Sequence, residues 1–516
     1  MRKRLIALVA LAAATFGLLP AHAAPTVIRS FITSFDDTPI VYNLFLPDPA
    51  DTPAPWPVVL NGHGWGGSGS QSAGGFIGTL LSEGYAVLTW DARGFGQSGG
   101  EAWVDDPARE GRDVSALIDL LAARSDIANV GGDPLVGMIG GSYAGGIQLA
   151  TSAFDPRVDA IVPNVTWNDL RYSLFPNGVV KLGFDTGLYA TGLAGALGGG
   201  LSADATAGPQ AGSYSADLNL IEAKGVALGY ADPGTLSWFR ERSVAGYGVE
   251  NPVAVPTLIL QGITDALFNV NEAVANFDHV AAQGAPVKLM VFCGGHVACP
   301  SNYNAGVAGY TNAATMKWLD RYVKGIESVD TGAPVEYATN DGVWHQAAVG
   351  FDKIATSWTT VNGRGTLVSS GAKTSVINGM AGVTYATPSH PLDPGTLTIP
   401  TAITGGSTIV GIPKITLRVG GAGPGAHLFV KLIDRDENLV DPRPDQVVDL
   451  QEAAMRVELI DPLFPQTIRF DGVGVSYVVP AGHRILVQVS TSSGAMSEYR
   501  GAAIVDLDAT IRIPML

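Results

Sequence analysis

Val136-Gly-Met-Ile-Gly140-Gly-Ser142-Tyr-Ala-Gly145-Gly146 is the stretch on which the reading of this chain turns. Its apolar start predicts a short buried strand. The strand breaks on two glycines, presents one serine and continues into a helix through Ile147-Gln-Leu-Ala-Thr151. Strand, sharp turn and helix together form the sequence signature of a nucleophile elbow, in which the serine oxygen stands clear of the sheet. Small residues must flank it, because bulky ones clash in so tight a turn. Ala144 stands at the fifth position of G-x-S-x-G, where glycine is usual, and glycine follows at 145. In a chain with 65 glycines a glycine-rich turn holding a chance serine is the competing reading. The remaining parts must come from elsewhere in the chain.

Outward from the elbow, strands and helices alternate. Val41 to Leu46 reads as an early strand and Trp56 to Asn61 as a short buried one, which runs into the glycine-rich loop Gly62-His63-Gly64-Trp65-Gly66-Gly67. A helix over 75–81 and a strand over 85–90 follow. Residues 108–124 carry Val114, Leu117, Ile118 and Leu121 at helical spacing. Val158 to Val162, Val255 to Gln261 and Val287 to Phe292 are further strands, with helices over 271–282 and 313–324. This alternation predicts a mostly parallel α/β sheet covered on both faces, spanning residues 24–162 and 244–328. Residues 163–243 break the pattern. They are rich in Gly, Ala and Leu with scattered aromatics, and read as a helical cap inserted over the sheet edge, where it would wall a substrate pocket. Beyond 328 helix signals fade. Alternating segments such as Lys414 to Val419, His427 to Ile433 and Arg484 to Ser490 predict an all-β sandwich or jelly roll over 329–516.

A serine hydroxyl needs a base within hydrogen-bond reach, and the base needs an orienting acid. On a sheet of this kind they come in chain order Ser, Asp or Glu, His, each after a strand. Ser142, Asp265 and His296 fit that order at three strand ends, the usual ligand edge of an open α/β sheet. Between Asp265 and the β-rich region the histidines are His279 and His296. His279 falls inside a predicted helix and His296 on a Gly-Gly loop just past a strand, so His296 is the candidate base. Singly, Asp265 could be a turn aspartate and His296 a surface-loop residue. Ser142 would attack a carbonyl, His296 would carry the proton, and Asp265 would fix the imidazole tautomer. The tetrahedral oxyanion needs two donors. The backbone N–H of Tyr143 is one candidate and that of Trp65 the other. His63 precedes the serine and reads as a loop-shaping residue.

The bulk numbers bound the rest. With 516 residues, 46% apolar and 15% charged, the chain is long enough for two or three domains with large cores. A net charge of −16 lacks the basic footprint that nucleic-acid binding requires. Residues 1–23 read as a secretory signal: Met1-Arg-Lys-Arg, an apolar run from Leu5 to Leu19, and the cleavage form Ala21-His22-Ala23. The expected location is therefore outside the cell or in its envelope, with no membrane segment after the signal is removed. In an oxidising compartment the two cysteines, Cys293 and Cys299, are expected to form a disulfide bracketing His296. Cys293-x-x-His296-x-x-Cys299 also has the form of a metal half-site, but it offers three ligands where a structural zinc takes four. Asp434-x-Asp436-x-Asn438 has calcium-loop spacing without the glycine or distal glutamate of a full loop, and reads as a hairpin turn. No metal and no cofactor is expected. Asn164-Val-Thr166 has the form of a glycosylation sequon.

With these pieces placed, the chain resembles the Xaa-Pro dipeptidyl-peptidase and cocaine-esterase family of serine hydrolases. The resemblance rests on Asp91-x-Arg93-Gly94-x-Gly96-x-Ser98-x-Gly100, Gly140-x-Ser142-Tyr143-x-Gly145, Pro256-Thr-Leu-Ile-Leu-Gln-Gly262-x-x-Asp265, Gly294-Gly295-His296 and Gly482-His483-Arg484. It implies an α/β-hydrolase core, a helical cap and a jelly-roll domain that helps wall the pocket. One departure stands out. The family carries a Pro-Tyr after the first core strand, whose phenol donates to the oxyanion. This chain has His63-Gly64-Trp65 there, so either a backbone N–H or the Trp65 indole N–H must replace it. Cleavage after an N-terminal dipeptide also needs carboxylates for the free amine, and the cap offers Asp185, Asp217, Glu222 and Glu241.

The expected activity is hydrolysis of ester or peptide bonds through an acyl-enzyme, on a small ester or short peptide. The alternatives are a carboxylesterase acting on apolar acyl esters, or a non-catalytic carbohydrate- or polymer-binding protein on the same fold. Oligomeric state is not legible in the sequence.

Overall fold

Residues 25–199, 212–303, 308–371, 384–438 and 445–516 are described by the computed structural model of the chain. The expected signal at 1–23 lies outside them. Among the described residues a ten-stranded sheet forms from β1 (Thr26–Thr33), β2 (Pro39–Leu46), β3 (Val58–Asn61), β4 (Ala86–Trp90), β5 (Val136–Gly141), β6 (Val158–Asn164), β7 (Thr257–Gly262), β8 (Val287–Phe292), β9 (Val335–Ala338) and β10 (Trp344–Ala347), in the order 1-2-4-3-5-6-7-8-9-10. From β4 through β9 neighbours run parallel, and β1, β2 and β10 are antiparallel additions.

The strands are apolar on both sides because both faces are covered. Leu60, Leu88 and Met138 face one side, with Val114, Leu117 and Leu121 of α2 (Glu110–Ala122) and Ile147 of α3 (Tyr143–Phe154). Val59, Val87 and Ile139 face the other, with Leu80 of α1 (Gly75–Ser82) and Trp318 and Leu319 of α10 (Ala308–Tyr322). The cap contributes α4 (Leu170–Leu174), α5 (Leu182–Gly199), α6 (Ala216–Leu228) and α7 (Pro233–Glu241); α8 (Val244–Tyr247) leads back to the sheet at β7, and α9 (Val270–Ala282) connects β7 to β8. Glycine inside a helix costs about 1 kcal/mol against alanine. In α5 it permits close approach: a Cβ on Gly192 would lie 2.2 Å from the Trp65 indole nitrogen, and one on Gly195 2.0 Å from the Gly66 carbonyl.

The expected core boundary at 328 needs correction. β9 and β10 lie beyond it and extend the first sheet to Ala347. They escaped the sequence reading because they are four residues long and carry polar Glu336, His345 and Gln346, the first of which is buried against Lys288. The β domain proper is antiparallel. Its central strand, Lys414–Asp436, pairs with Gln466–Asp471 and Ala503–Met515 through its first half, and with Ala453–Ile460 and His483–Ser490 through its second. The sequence reads as two strands there because Gly420, Gly421 and Gly423 interrupt the alternation. The chain instead bends through the glycines and passes between two sheets, which enclose a core that includes Leu417, Leu428, Val487 and Ile511.

Candidate active site

Ser142 sits between β5 and α3 with φ 59° and ψ −121°, a backbone conformation that costs a non-glycine residue on the order of 1–3 kcal/mol. Its surroundings hold it there. Ser142 N–H donates to Asn164 O at 2.9 Å, and the Thr166 hydroxyl donates to Ser142 O at 3.0 Å. The sequon residues Asn164 and Thr166 therefore buttress the elbow. Small flanking residues are a packing requirement: a Cβ on Gly140 would come within 2.5 Å of the Ala144 Cβ, and one on Gly146 within 2.3 Å of the Trp167 ring. Ala144 is accommodated because its own methyl faces Gly62 and Gly140, which carry none.

The fold brings Ser142, His296 and Asp265 together. Ser142 Oγ lies 2.8 Å from His296 Nε2, and His296 Nδ1 lies 2.7 Å from Asp265 Oδ2. An ionised carboxylate only accepts, so Nδ1 carries the proton and Nε2 is left to accept from the serine hydroxyl. Asp265 is fully buried. Its Oδ1 accepts from the N–H groups of Leu267 and Phe268, each at 3.0 Å, and its Oδ2 also accepts from His296 N–H at 3.0 Å. Gly295, at φ 122°, leaves room for this approach, since a Cβ there would lie 2.5 Å from Asp265 Oδ2. Phe268 and Phe184 stand edge-on to the imidazole. Cys293 and Cys299 are joined in a disulfide that brackets His296, which takes both sulfurs out of the half-site reading. His279 lies in α9, where its Nε2 accepts from Val253 N–H at 3.1 Å, away from the serine.

Tyr143 N–H, at the head of α3, and Trp65 N–H find no acceptor among the described residues. The indole of Trp65 is engaged away from the serine. Its Nε1–H donates to Leu188 O of the cap at 2.9 Å, and the ring stacks on Tyr214 and meets Phe95 and Tyr143 edge-on. His63 shapes the loop: its Nε2 accepts from Ala92 N–H at 2.9 Å and its Nδ1 donates to Gly64 O at 2.8 Å, while burial pushes its pKa down and keeps the ring neutral. The Asp91–Gly100 string is scaffolding for the same loop. Asp91 accepts from Gly69 N–H and Gln97 N–H, and Arg93 pairs with Asp113 and Asp36.

Beneath the elbow lie groups that the sequence did not mark. Tyr143 Oη is 3.3 Å from Glu110 Oε1, and Asp105, adjoining both, is buried with φ 55°. Burial raises Glu110 to about 8 and pushes Asp105 well above the usual carboxyl range.

A cavity of about 290 Å³ opens from Ser142 into the cap. Its walls are mainly apolar, with Trp167, Leu170, Phe175, Ile221, Phe239 and Phe268 among them. Of the four cap carboxyls, Asp185 and Glu222 line it; burial raises both, and the neighbouring Glu222 raises Asp185 further. Asp217 and Glu241 are exposed on the outside of the cap. Ser497, Glu498 and Arg500 of the β domain complete the wall. Elsewhere, Asp434 accepts from Tyr477 Oη at 2.6 Å and from His483, and Asp436 caps Asn438 N–H, so the calcium-like spacing serves a turn.

The profile of the X-Pro dipeptidyl-peptidase (S15 family) matches residues 36–298, and that of the X-Pro dipeptidyl-peptidase C-terminal non-catalytic domain matches residues 380–502. Among solved structures, an α-amino acid ester hydrolase superposes with a TM-score of 0.72 at 16% identity, covering 98% of this chain and 99% of that one. An aminopeptidase from a marine-sediment Thaumarchaeota archaeon gives 0.68 at 16%, with the same coverage. A CocE/NonD family hydrolase from Staphylococcus aureus gives 0.63 at 13%, covering 95% and 94%. At these identities the likeness is one of fold. Among curated proteins, the quorum-quenching protein AidA of Acinetobacter baumannii is 30% identical over 139 residues, 26% of this chain and 43% of that protein. The uncharacterized protein YcjY of Escherichia coli is 28% identical over 119 residues, 23% and 38%. The chain thus spans about two fifths of the length of the curated relatives it matches.

Proposed function

Because the chain belongs to the X-Pro dipeptidyl-peptidase (S15) family, we propose that it is an exported serine hydrolase that cleaves ester or short-peptide bonds through an acyl-enzyme. The observation that carries this reading is the relay from Ser142 Oγ to His296 Nε2 at 2.8 Å and from His296 Nδ1 to Asp265 at 2.7 Å. Ser142 Oγ attacks the substrate carbonyl carbon while His296 Nε2 takes its proton. Asp265 steadies the imidazolium that forms. The carbonyl oxygen becomes an oxyanion and accepts from Tyr143 N–H and Trp65 N–H. The tetrahedral adduct collapses as His296 returns the proton to the leaving alcohol or amine, leaving an ester on Ser142. Water, deprotonated by His296, then attacks that ester, and the acid departs with Ser142 restored.

The cavity wall bears on the substrate. Burial raises Asp185 and Glu222, and a cationic amine entering beside them would favour their ionised forms. That supports acyl groups carrying a free α-amine, as in dipeptides or aminoacyl esters. The mainly apolar remainder of the wall favours the second reading, a carboxylesterase for apolar acyl esters. A non-catalytic binder would have no use for an intact relay. Export is supported by the residue pattern of 1–23 and the Cys293–Cys299 disulfide. Among the described residues no helix is long and apolar enough to cross a membrane.

A fluorophosphonate probe should label the wild-type chain and not Ser142→Ala. Labelling that persists in that variant would overturn the proposal. Xaa-Pro anilides assayed beside acyl p-nitrophenyl esters then divide the two substrate readings.

A further inference from the structure

The turn that carries Asp265 is held from outside its own domain. Over residues 262–268 it folds so that N–H groups point at the Asp265 carboxylate, which leaves its carbonyls on the opposite side. Buried carbonyls require donors. Gln261 Nε2, from the strand itself, donates to Gly262 O and Phe268 O. Four others are served by two visiting side chains. Gln451 Nε2, from the β domain, donates to Ile263 O and Asp265 O, each at 3.0 Å. Lys181 Nζ, from the cap just before α5, donates to Ala266 O and Leu267 O, each at 2.7 Å. Gln451 is 6% exposed and Lys181 3%.

The segment that delivers Gln451 is strained. Asp449 and Leu450 precede it at φ 51° and 60°. Each such conformation costs on the order of 1–3 kcal/mol and persists only where the surroundings over-determine it. Asp449 is fully buried, its Oδ1 accepting from Tyr303 Oη at 3.0 Å and its Oδ2 from Ser476 N–H at 2.9 Å. Tyr303 follows Cys299 on the loop that bears His296. The same β-domain segment therefore touches both the acid's turn and the base's loop.

We infer that Gln451 and Lys181 are positioning residues: through the carbonyls of the 262–268 turn, the β domain and the cap set the orientation of Asp265, and hence of the His296 imidazole. This rests on the proposed roles of Ser142, His296 and Asp265. Neither residue lines the cavity at Ser142, so neither touches the reacting atoms. The β domain on this account fixes the geometry of the relay as well as walling the cavity.

The test uses the full chain. Gln451→Leu keeps the volume and removes both donors, and Lys181→Met does the same for the other pair. A displacement of the turn by about an ångström lowers kcat ~10- to 100-fold. KM stays within twofold of wild type, and in Gln451→Leu the acid limb of the kcat profile moves to lower pH as the imidazolium loses part of its contact with Asp265. Lys181→Met also removes a cation beside Asp265, which acts in the other direction, so that variant is read by kcat alone. Val487→Ala, in the β-domain core, is the control for lost stability and keeps both kcat and the acid limb. If Gln451→Leu gives no cooperative thermal transition, Gln451→Asn, one methylene too short to span both carbonyls, is measured on the same criteria. Two results overturn the inference: a Gln451→Leu variant that keeps the kcat and acid limb of wild type together with a Lys181→Met variant that keeps its kcat, or a Val487→Ala control that reproduces their losses. Either result, with Ser142→Ala unlabelled by fluorophosphonate, leaves the proposed hydrolase intact. Labelling of Ser142→Ala would instead remove the reading on which the inference rests.

Discussion

Trp65→Phe separates the two ways this loop could stabilise an oxyanion. In the structure the indole N–H is already engaged, donating to Leu188 O at 2.9 Å, while the ring stacks on Tyr214. Phenylalanine keeps an aromatic ring against Phe95, Tyr143 and Tyr214 and keeps the backbone N–H at position 65. It deletes the indole bond, whose net worth is about 1 kcal/mol. Leu188 O is not orphaned by this, because the Thr191 hydroxyl at 3.3 Å and Tyr214 Oη at 3.5 Å lie within reach and can turn to it from the Gly187 and Tyr189 carbonyls they serve. The expected result is a slightly lowered melting temperature with kcat within about threefold of wild type, a barrier change under ~1 kcal/mol. Were the indole the oxyanion donor, its loss would cost about 10²- to 10³-fold in kcat. The assay is p-nitrophenyl ester turnover, with the rate of fluorophosphonate labelling measured in parallel and the melting temperature as control. A hundredfold fall in both rates with the fold intact would refute the assignment of the backbone N–H.

Other expectations follow from the same geometry. His296→Ala should abolish turnover and His279→Ala should retain it, read by the same ester assay, since only the first imidazole reaches Ser142. Asp185→Asn and Glu222→Gln should raise KM for substrates with a free α-amine and leave KM for simple acyl esters near wild type; equal effects on both would remove the amine reading. Burial holds Glu110 at about 8 and Glu272 and Asp449 at about 7, so the folded chain binds more protons than the unfolded one between pH ~4 and those values. Their stabilising contribution is complete below the unfolded pKa and is lost as pH rises through the folded one, so thermal melts should shift downward from pH 6.5 to 8.5. His427, lowered to about 4, acts in the opposite sense and only below about pH 6.5, as the unfolded imidazole takes up its proton. Cys293→Ser with Cys299→Ser opens a loop of sequence separation 6 and should cost about 2 kcal/mol by loop-closure entropy. Denaturant melts read that cost, and kcat should fall with it because His296 lies inside the loop.

The periodicity of the chain was enough for the sheet, the elbow and the order of Ser142, Asp265 and His296. Strands buried on both faces must be apolar throughout, and a strained turn must be flanked by small residues, so both leave local marks in the sequence. β9 and β10 left none, because four-residue strands interrupted by polar side chains carry no recognisable alternation. Gly420 to Gly425 read as a break, although a long strand uses them to cross between sheets. Which cap carboxyls face the cavity also stayed hidden: Asp185 and Asp217 look alike in the sequence, and packing alone turns one to the cavity and exposes the other. Gln451 and Lys181 are the sharpest case. A glutamine in a β-rich stretch and a lysine before a helix have no local signature of serving a turn 186 residues away and carbonyls 85 and 86 residues away. Local sequence determined which groups could carry the chemistry, because backbone strain and burial act over a few residues. Only the tertiary structure decided how those groups are held, because a buried carbonyl accepts from whichever donor the folded chain brings within 3 Å.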